Sequence, residues 1–126
     1  MDYQDNMKKI SICIPCFNEE SNIRTAYLKL SDVMQQLSGY DYELIFEDNA
    51  SDDNSECLLR KIAREDSHVK VILNTRNFGP LRSARNCQFS ATGDAVICIG
   101  CDLQEPPEMI LEFVKFWEEG YKIVLG

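Results

Sequence analysis

The chain is short of positive charge: 13 Lys and Arg face 21 Asp and Glu, for a net charge of −8. That balance argues against a nucleic-acid-binding surface, which needs clustered cations along the phosphate track. An anionic ligand therefore requires local arginines or a metal, because the overall field repels it. No apolar run approaches the length of a transmembrane helix, and Met1–Lys9 is too polar for a signal peptide. A cytoplasmic location is expected. Internal repeats, low-complexity tracts and linkers are also absent, which leaves one domain in 126 residues. With 44% apolar and 27% charged residues, the chain reads as a soluble globular protein. It is long enough for a real core but short for a complete α/β enzyme.

What is present alternates. Lys8–Ile14 reads as a first strand ended by Pro15, with the polar stretch before it (residues 1–8) expected to be disordered. Ile23, Ala26, Tyr27, Leu30, Val33, Met34 and Leu37 then form a helical stripe stopped by Gly39. Tyr42–Phe46 is a second strand, followed by a helix that buries Leu58, Leu59, Ile62 and Ala63. Val69–Leu73 is a third strand, and a helix of small residues containing Ala84, Cys87 and Ala91 comes after it. Ala95–Ile99, an unbroken apolar run, reads as a fourth strand buried on both faces. A last helix carries Met109, Ile110, Phe113, Val114 and Trp117 on one face, with Gly120 as its cap, and Tyr121–Leu125 begins a fifth strand. Such alternation demands parallel crossovers, and hence an α/β doubly wound sheet in the order 3-2-1-4 with helices on both faces. Every polar cluster follows a strand: Cys16–Glu20, Glu47–Asp53, Asn74–Gly79 and Asp102–Glu105. Parallel strands share a direction, so all four clusters converge on one edge, where open α/β sheets bind ligands.

Six cysteines include two Cys-x-x-Cys pairs, Cys13/Cys16 and Cys98/Cys101. Three readings apply: a thioredoxin-like redox pair, a zinc site, or reduced thiols packed as small hydrophobes. Each pair begins inside a strand rather than on a tight turn, which favours the third. Cys13 and Cys98 are then buried neighbours on adjacent strands, without a disulfide or zinc. Cys16 and Cys101 are expected near the ligand edge as the most readily alkylated thiols.

The densest chemistry lies in Asp94–Glu108. The fourth strand stops at Asp102, Gln104 follows, and Pro106 and Pro107 open the last helix. Two hard oxygen donors at that spacing suit Mg²⁺ or Mn²⁺, which could in turn hold phosphates. The plainer alternative is a strand-to-helix turn with a capping Asp.

Four runs in order, Ile14-Pro15-Cys16-Phe17-Asn18-Glu19-Glu20, Phe46-Glu47-Asp48-Asn49-Ala50-Ser51-Asp52, Asn74-Thr75-Arg76-Asn77-Phe78-Gly79 and Cys101-Asp102-Leu103-Gln104-Glu105-Pro106-Pro107-Glu108, resemble family 2 glycosyltransferases. The Asp-Leu-Gln-Glu-Pro-Pro-Glu run is similar to the polyprenyl-phosphate branch, the dolichol- and undecaprenyl-phosphate sugar transferases. The resemblance spans Lys9 to Gly126. It implies the Rossmann-like, nucleotide-sugar-binding half of a GT-A fold over residues 9–126. Pro15, Phe17 and Glu19 would line the nucleoside pocket, and Asn18, Glu47 and Gly79 would belong to the same donor site. Asp48 would accept an N–H of the base. Arg76 would lie against base, ribose or phosphate. Asp102 and Gln104 would hold the Mg²⁺ or Mn²⁺ that bridges the diphosphate. The implied partners are a nucleotide-diphosphate sugar and a lipid phosphate acceptor at the cytoplasmic face of the membrane, with no nucleic acid.

Three departures from the family pattern stand out. Gly100 replaces the first Asp of the usual Asp-x-Asp, Glu47 replaces an Asp, and Pro80 stands where Lys is common. Arg82 or Arg85 could restore that last charge. In the family the catalytic base and the acceptor part lie beyond the fifth strand, so the sequence looks like a donor-binding portion cut before them. A nucleotide-binding module without transfer activity, or a pseudoenzyme, is the alternative reading, and a thiol redox or metal-thiolate protein the third.

Overall fold

Alternate side chains of a strand face opposite sides of its sheet, and in this chain the two sides of the central strands differ in character. The computed structural model describes residues 7–122. It contains β1 (Lys9–Cys16), α1 (Ile23–Gln36), β2 (Asp41–Asp48), α2 (Ser55–Glu65), β3 (Val69–Leu73), α3 (Pro80–Ser90), β4 (Ala95–Cys98) and α4 (Met109–Glu118). The strands form one sheet in the order β3-β2-β1-β4, parallel throughout, as the strand-then-polar-cluster pattern requires. Most of the fifth-strand expectation, and most of residues 1–8, lie outside the described residues.

On one side, Ile10, Ile12 and Ile14 of β1 and Leu44 and Phe46 of β2 pack against the apolar stripes of α1, α2 and α4. Each such side chain, fully withdrawn from water, contributes about 1.5–3 kcal/mol. The other side is thinner and more polar. There Cys13 and Ile45 meet Cys87 of α3, flanked by Ile72 and Ala91. Ser11, Glu43 and Glu47 share that side by strand parity and are buried as well.

Glu43 ties the amino-terminal end of this face together. Its Oε2 accepts from Ser11 Oγ (2.6 Å), Thr92 N (2.7 Å) and Thr92 Oγ1 (2.9 Å). Its Oε1 faces the ammonium groups of Lys70 and, at 3.6 Å, Lys9. Burial alone would raise its pKa, but Lys70, Ser11 and Thr92 outweigh that and hold it at about 2. The turn that supplies Thr92 needs a glycine beside it. A Cβ on Gly93 would lie 2.5 Å from Ser11 Oγ and 2.8 Å from Ser11 N.

Three boundaries differ from expectation. β1 continues through Pro15 because its pairing with β4 ends at Cys13, leaving Pro15 a strand neighbour on one side only. β2 runs on to Asp48, so Glu47 and Asp48 lie inside the sheet rather than in a loop. β4 is not buried on both faces. It lies at the edge of the described sheet, alternating half-buried and exposed, with Val96 and Cys98 open to solvent.

Candidate functional site

The first three strands deliver their following loops to a cleft of about 310 Å³ at the carboxyl edge. Pro15, Cys16, Phe17 and Glu19 form one wall, and Asn49 extends from the end of β2. Asn77, Pro80 and Ser83 form the facing wall. That second wall belongs to a segment, residues 74–93, carrying Arg76, Arg82 and Arg85 and no acidic residue, in a chain of net charge −8. It is the part of the molecule best suited to face an anion.

Two loops are zipped together at the rim. The backbone N–H of Asn18, a residue held at φ 51°, donates to Ser51 Oγ (2.9 Å), and Asn18 Oδ1 accepts from Asp52 N (2.8 Å). Glu19 N donates to Ser55 Oγ (3.1 Å), and Glu20 N to Asp53 Oδ2 (3.2 Å). Asn18 therefore acts on the rim's shape. The carboxylate of Asp48, 3% exposed, accepts from the hydroxyl and the backbone N–H of Ser51. Glu19 accepts from Asn22 Nδ2 (2.6 Å), which leaves its side chain set in the wall.

The facing loop is bolted to the end of β2. Asn49 Oδ1 accepts from Phe78 N (2.9 Å) and Asn74 Nδ2 (3.3 Å), while Asn49 Nδ2 donates to Asn77 Oδ1 (2.6 Å). Asn77 Oδ1 also takes Gly79 N (2.8 Å), and Gly79, at φ 82°, makes the left-handed turn into α3 that a side chain would strain. Pro80 follows as the first helical residue, where its missing N–H costs nothing. The Arg76 guanidinium lies over the Phe78 ring, 4.8 Å from its centre. Arg82 is exposed on α3.

Of the residues expected in the donor site, Pro15, Phe17 and Glu19 line the cleft, while Asn18, Asp48 and Gly79 shape its rim. One expectation is corrected. Glu47 does not line the pocket: it is 0% exposed, enclosed by Asn74, Ser83 and Asn86. Asn49, Asn74, Asn77 and Ser83 carry much of the geometry without having been expected there. Their one sequence signal is that Asn49 and Asn74 each directly follow a strand end.

Asp102 and Gln104 lie exposed in the β4–α4 loop and are not among the residues that line the cleft. Between them Leu103 takes φ 52°, and a Cβ on Gly100 would lie 3.0 Å from Asp102 Oδ1. Among the described residues no three His, Cys, Asp or Glu side chains come together to hold a metal. A carboxylate and an amide are hard donors that fit Mg²⁺ or Mn²⁺, provided that ligand oxygens and water complete the shell.

The thiols pair across strands, not along them. Cys13 and Cys16 differ in parity and sit on opposite faces, Cys13 with Cys87 and Cys16 with Cys101. Cys13 is the Cα partner of Cys98. No Cys-x-x-Cys pair therefore forms a knuckle. The expectation that Cys16 and Cys101 are the most accessible thiols is corrected, since each is 2% exposed and packed in the larger core. Contact with Cys101 and burial push the Cys16 thiol well up. Cys98, expected to be buried, is exposed because β4 lies at the edge.

A four-stranded parallel sheet with its cleft across the carboxyl edge is an open, doubly wound α/β domain. Solved structures agree. The mannosyltransferase PcManGT from Pyrobaculum calidifontis, in complex with GDP-Man and Mn²⁺, superposes with a TM-score of 0.73 over 88% of this chain and 32% of that one, at 18% identity. S. aureus TarS 1–349 in complex with UDP gives 0.66 over 88% and 32%, at 20% identity. Residues 11–126 match Glycosyl transferase family 2, and the chain belongs to that family. It is 41% identical over 114 residues to the uncharacterized glycosyltransferase YkcC of Bacillus subtilis (strain 168), covering 90% of this chain and 35% of that protein. It is 40% identical over 122 residues to the undecaprenyl-phosphate 4-deoxy-4-formamido-L-arabinose transferase of Proteus mirabilis (strain HI4320), covering 95% of this chain and 37% of that one. The chain thus spans little more than a third of these relatives' length.

Proposed function

We propose that residues 9–126 supply the nucleotide-sugar-binding part of a glycosyltransferase that moves a sugar from a nucleotide-diphosphate sugar to a polyprenyl phosphate. The observation that carries this is the cleft, built from the loops after β1, β2 and β3, with Asn77, Pro80 and Ser83 of one wall drawn from a segment that carries Arg76, Arg82 and Arg85 and no acidic residue. The family membership and the relative acting on undecaprenyl phosphate support the same reading.

In such a transfer the bond between the sugar's anomeric carbon and the diphosphate oxygen breaks, the acceptor phosphate oxygen forms the new bond, and negative charge grows on the departing diphosphate. Pro15, Phe17 and Glu19 flank the nucleoside. Asp48, its carboxylate held by Ser51, accepts an N–H from the base. Arg76 and Arg82 offer positive charge to base, ribose or phosphate. Asp102 and Gln104 would hold Mg²⁺ or Mn²⁺, which when bound would supply positive charge to offset that on the leaving group. Among the described residues no helix is long and apolar enough to cross a membrane. Work at the cytoplasmic face of a membrane is part of this proposal. Nucleotide binding without transfer is the second reading, favoured by Gly100, which offers no carboxylate beside Asp102.

Calorimetric titration with UDP and with GDP, in Mn²⁺ and in chelator, tests the assignment. Weak binding strengthened by Mn²⁺ is expected. Asp102→Ala should abolish most of the metal dependence, whereas Asp48→Ala should weaken binding under both conditions. Equal affinity with Mn²⁺ and with chelator would remove Asp102 as a ligand, and no binding of either nucleotide would overturn the proposal.

A further inference from the structure

Glu47 cannot touch a ligand, yet it is wired to both sides of the facing wall. Its Oε2 accepts from Asn74 Nδ2 (2.9 Å) and Ser83 Oγ (2.6 Å), and its Oε1 accepts from Asn86 Nδ2 (3.2 Å). Asn74 passes the constraint on. The same Nδ2 reaches Asn49 Oδ1, which also receives the Phe78 N–H. A backbone N–H can only donate, so the Asn49 amide has one orientation and must present its Nδ2 to Asn77. Ser83, on the other branch, is 1% exposed and stands in the first turns of α3. Asn49, Asn77 and Ser83 all line the cleft.

We propose that Glu47 is a positioning residue of the cleft. Through Asn74 it sets the Asn49–Asn77 link and the Arg76–Phe78 pair, and through Ser83 it sets the amino-terminal turns of α3, without contacting the ligand. The proposal rests on the nucleotide-binding reading for its functional consequence. Its structural content stands apart from that reading, because the loop is ordered by hydrogen bonds that can be watched directly.

Glu43 is the internal control. It lies on the same strand and face, is 1% exposed, and anchors the opposite end of β2. Glu47→Met keeps the side chain's length but withdraws every acceptor, so the donors of Asn74 and Ser83 are left unpaired in a closed site. Amide hydrogen exchange and nucleotide titration are then measured on the same samples. In Glu47→Met the Phe78 and Gly79 amides should exchange faster, and the UDP or GDP Kd should rise about tenfold. Glu47→Gln, which retains one acceptor for Asn74 and Ser83, should fall between Glu47→Met and the parent. Glu43→Gln should lower stability but leave those two amides and the Kd at parental values. If Glu47→Met does not fold, Asn74→Ala cuts the link to Asn49 while Ser83 and Asn86 still hold the carboxylate, and it should free the same amides. Parental protection of Phe78 and Gly79 in the tested variant would overturn the proposal. A parent that binds neither nucleotide would defeat the nucleotide reading, and the amide exchange would still decide the positioning role.

Discussion

Replacing Glu43 by Gln should remove one identifiable part of the protein's acid sensitivity. In the folded chain the carboxyl sits at about 2, against 4.5 for the free group. A group with a depressed folded pKa contributes stability that is fully present above its unfolded pKa and is lost as the pH falls through the folded one. The window here lies between 4.5 and about 2. The shift corresponds to about 3 kcal/mol, a sizeable share of what a domain of this size has to lose. Glu43→Gln keeps the shape and an acceptor for Ser11 and Thr92, but turns an amide toward Lys70 and Lys9. At neutral pH the variant should be less stable by up to about 3 kcal/mol. The gap should close as acid protonates the parent's carboxylate. Urea unfolding followed by the fluorescence of Trp117, the single tryptophan, measures both proteins through the window. Asp66, whose pKa burial would raise but bonds to Tyr27 and His68 lower, contributes to acid lability in both and cancels in the difference. Parallel stability curves from neutral pH down to the folded pKa would refute the argument.

Gly100→Asp should tighten Mn²⁺ binding in the presence of nucleotide on the order of tenfold, because a second carboxylate joins Asp102. Its Cβ would meet Asp102 Oδ1 at 3.0 Å, the movable end of an exposed side chain, so the loop can accept it. A metal titration identical to the parent's would mean that Gln104, water and phosphate already complete the shell. Thiol labelling of the native protein should reach Cys57 and Cys98 and spare Cys13, Cys16, Cys87 and Cys101 until unfolding. Cys57 should react before Cys98, whose thiol is pushed up by contact with Cys13 and by burial. Labelling of Cys16 at the rate of Cys57 would contradict the buried packing.

The sheet order was readable because it depends on coarse features: apolar runs, helical stripes and the position of polar clusters after strands. Strand ends were less readable for a specific reason. Hydrophobic patterning stops where carboxylates begin, so β2 reads as ending at Phe46. The ladder nevertheless continues, with Glu47 and Asp48 opposite Pro15 and Cys16. Those carboxylates stay in the sheet because donors from residues Ser51, Asn74, Ser83 and Asn86 come to them. The edge position of β4 was hidden too. An apolar strand reads alike whether helices cover both its faces or only one, and Cys98 was misplaced for that reason.

The cleft divides along the same line. Residues whose backbone position sets their exposure, Pro15, Phe17 and Glu19, line it. Residues whose role depends on a partner far away in the chain do not follow their type. Glu43, Glu47 and Asp48 are three acids within six residues of one strand, and a sequence reading can weigh them only as charge. Folded, the first is clamped between lysines and the Thr92 turn, the second gathers neutral donors from the β3–α3 loop and α3, and the third caps its own loop. What separates them is which segment the sheet order lays across each: the turn before β4 over Glu43, α3 over Glu47, the β2–α2 loop over Asp48. A substitution at one acid should therefore act at the place where its covering segment lies. Glu43 governs acid stability at the base of the sheet, while Glu47 governs the far wall of the cleft. The pair separates folding from binding on a single strand, which is why the comparison between them is more informative than either variant alone.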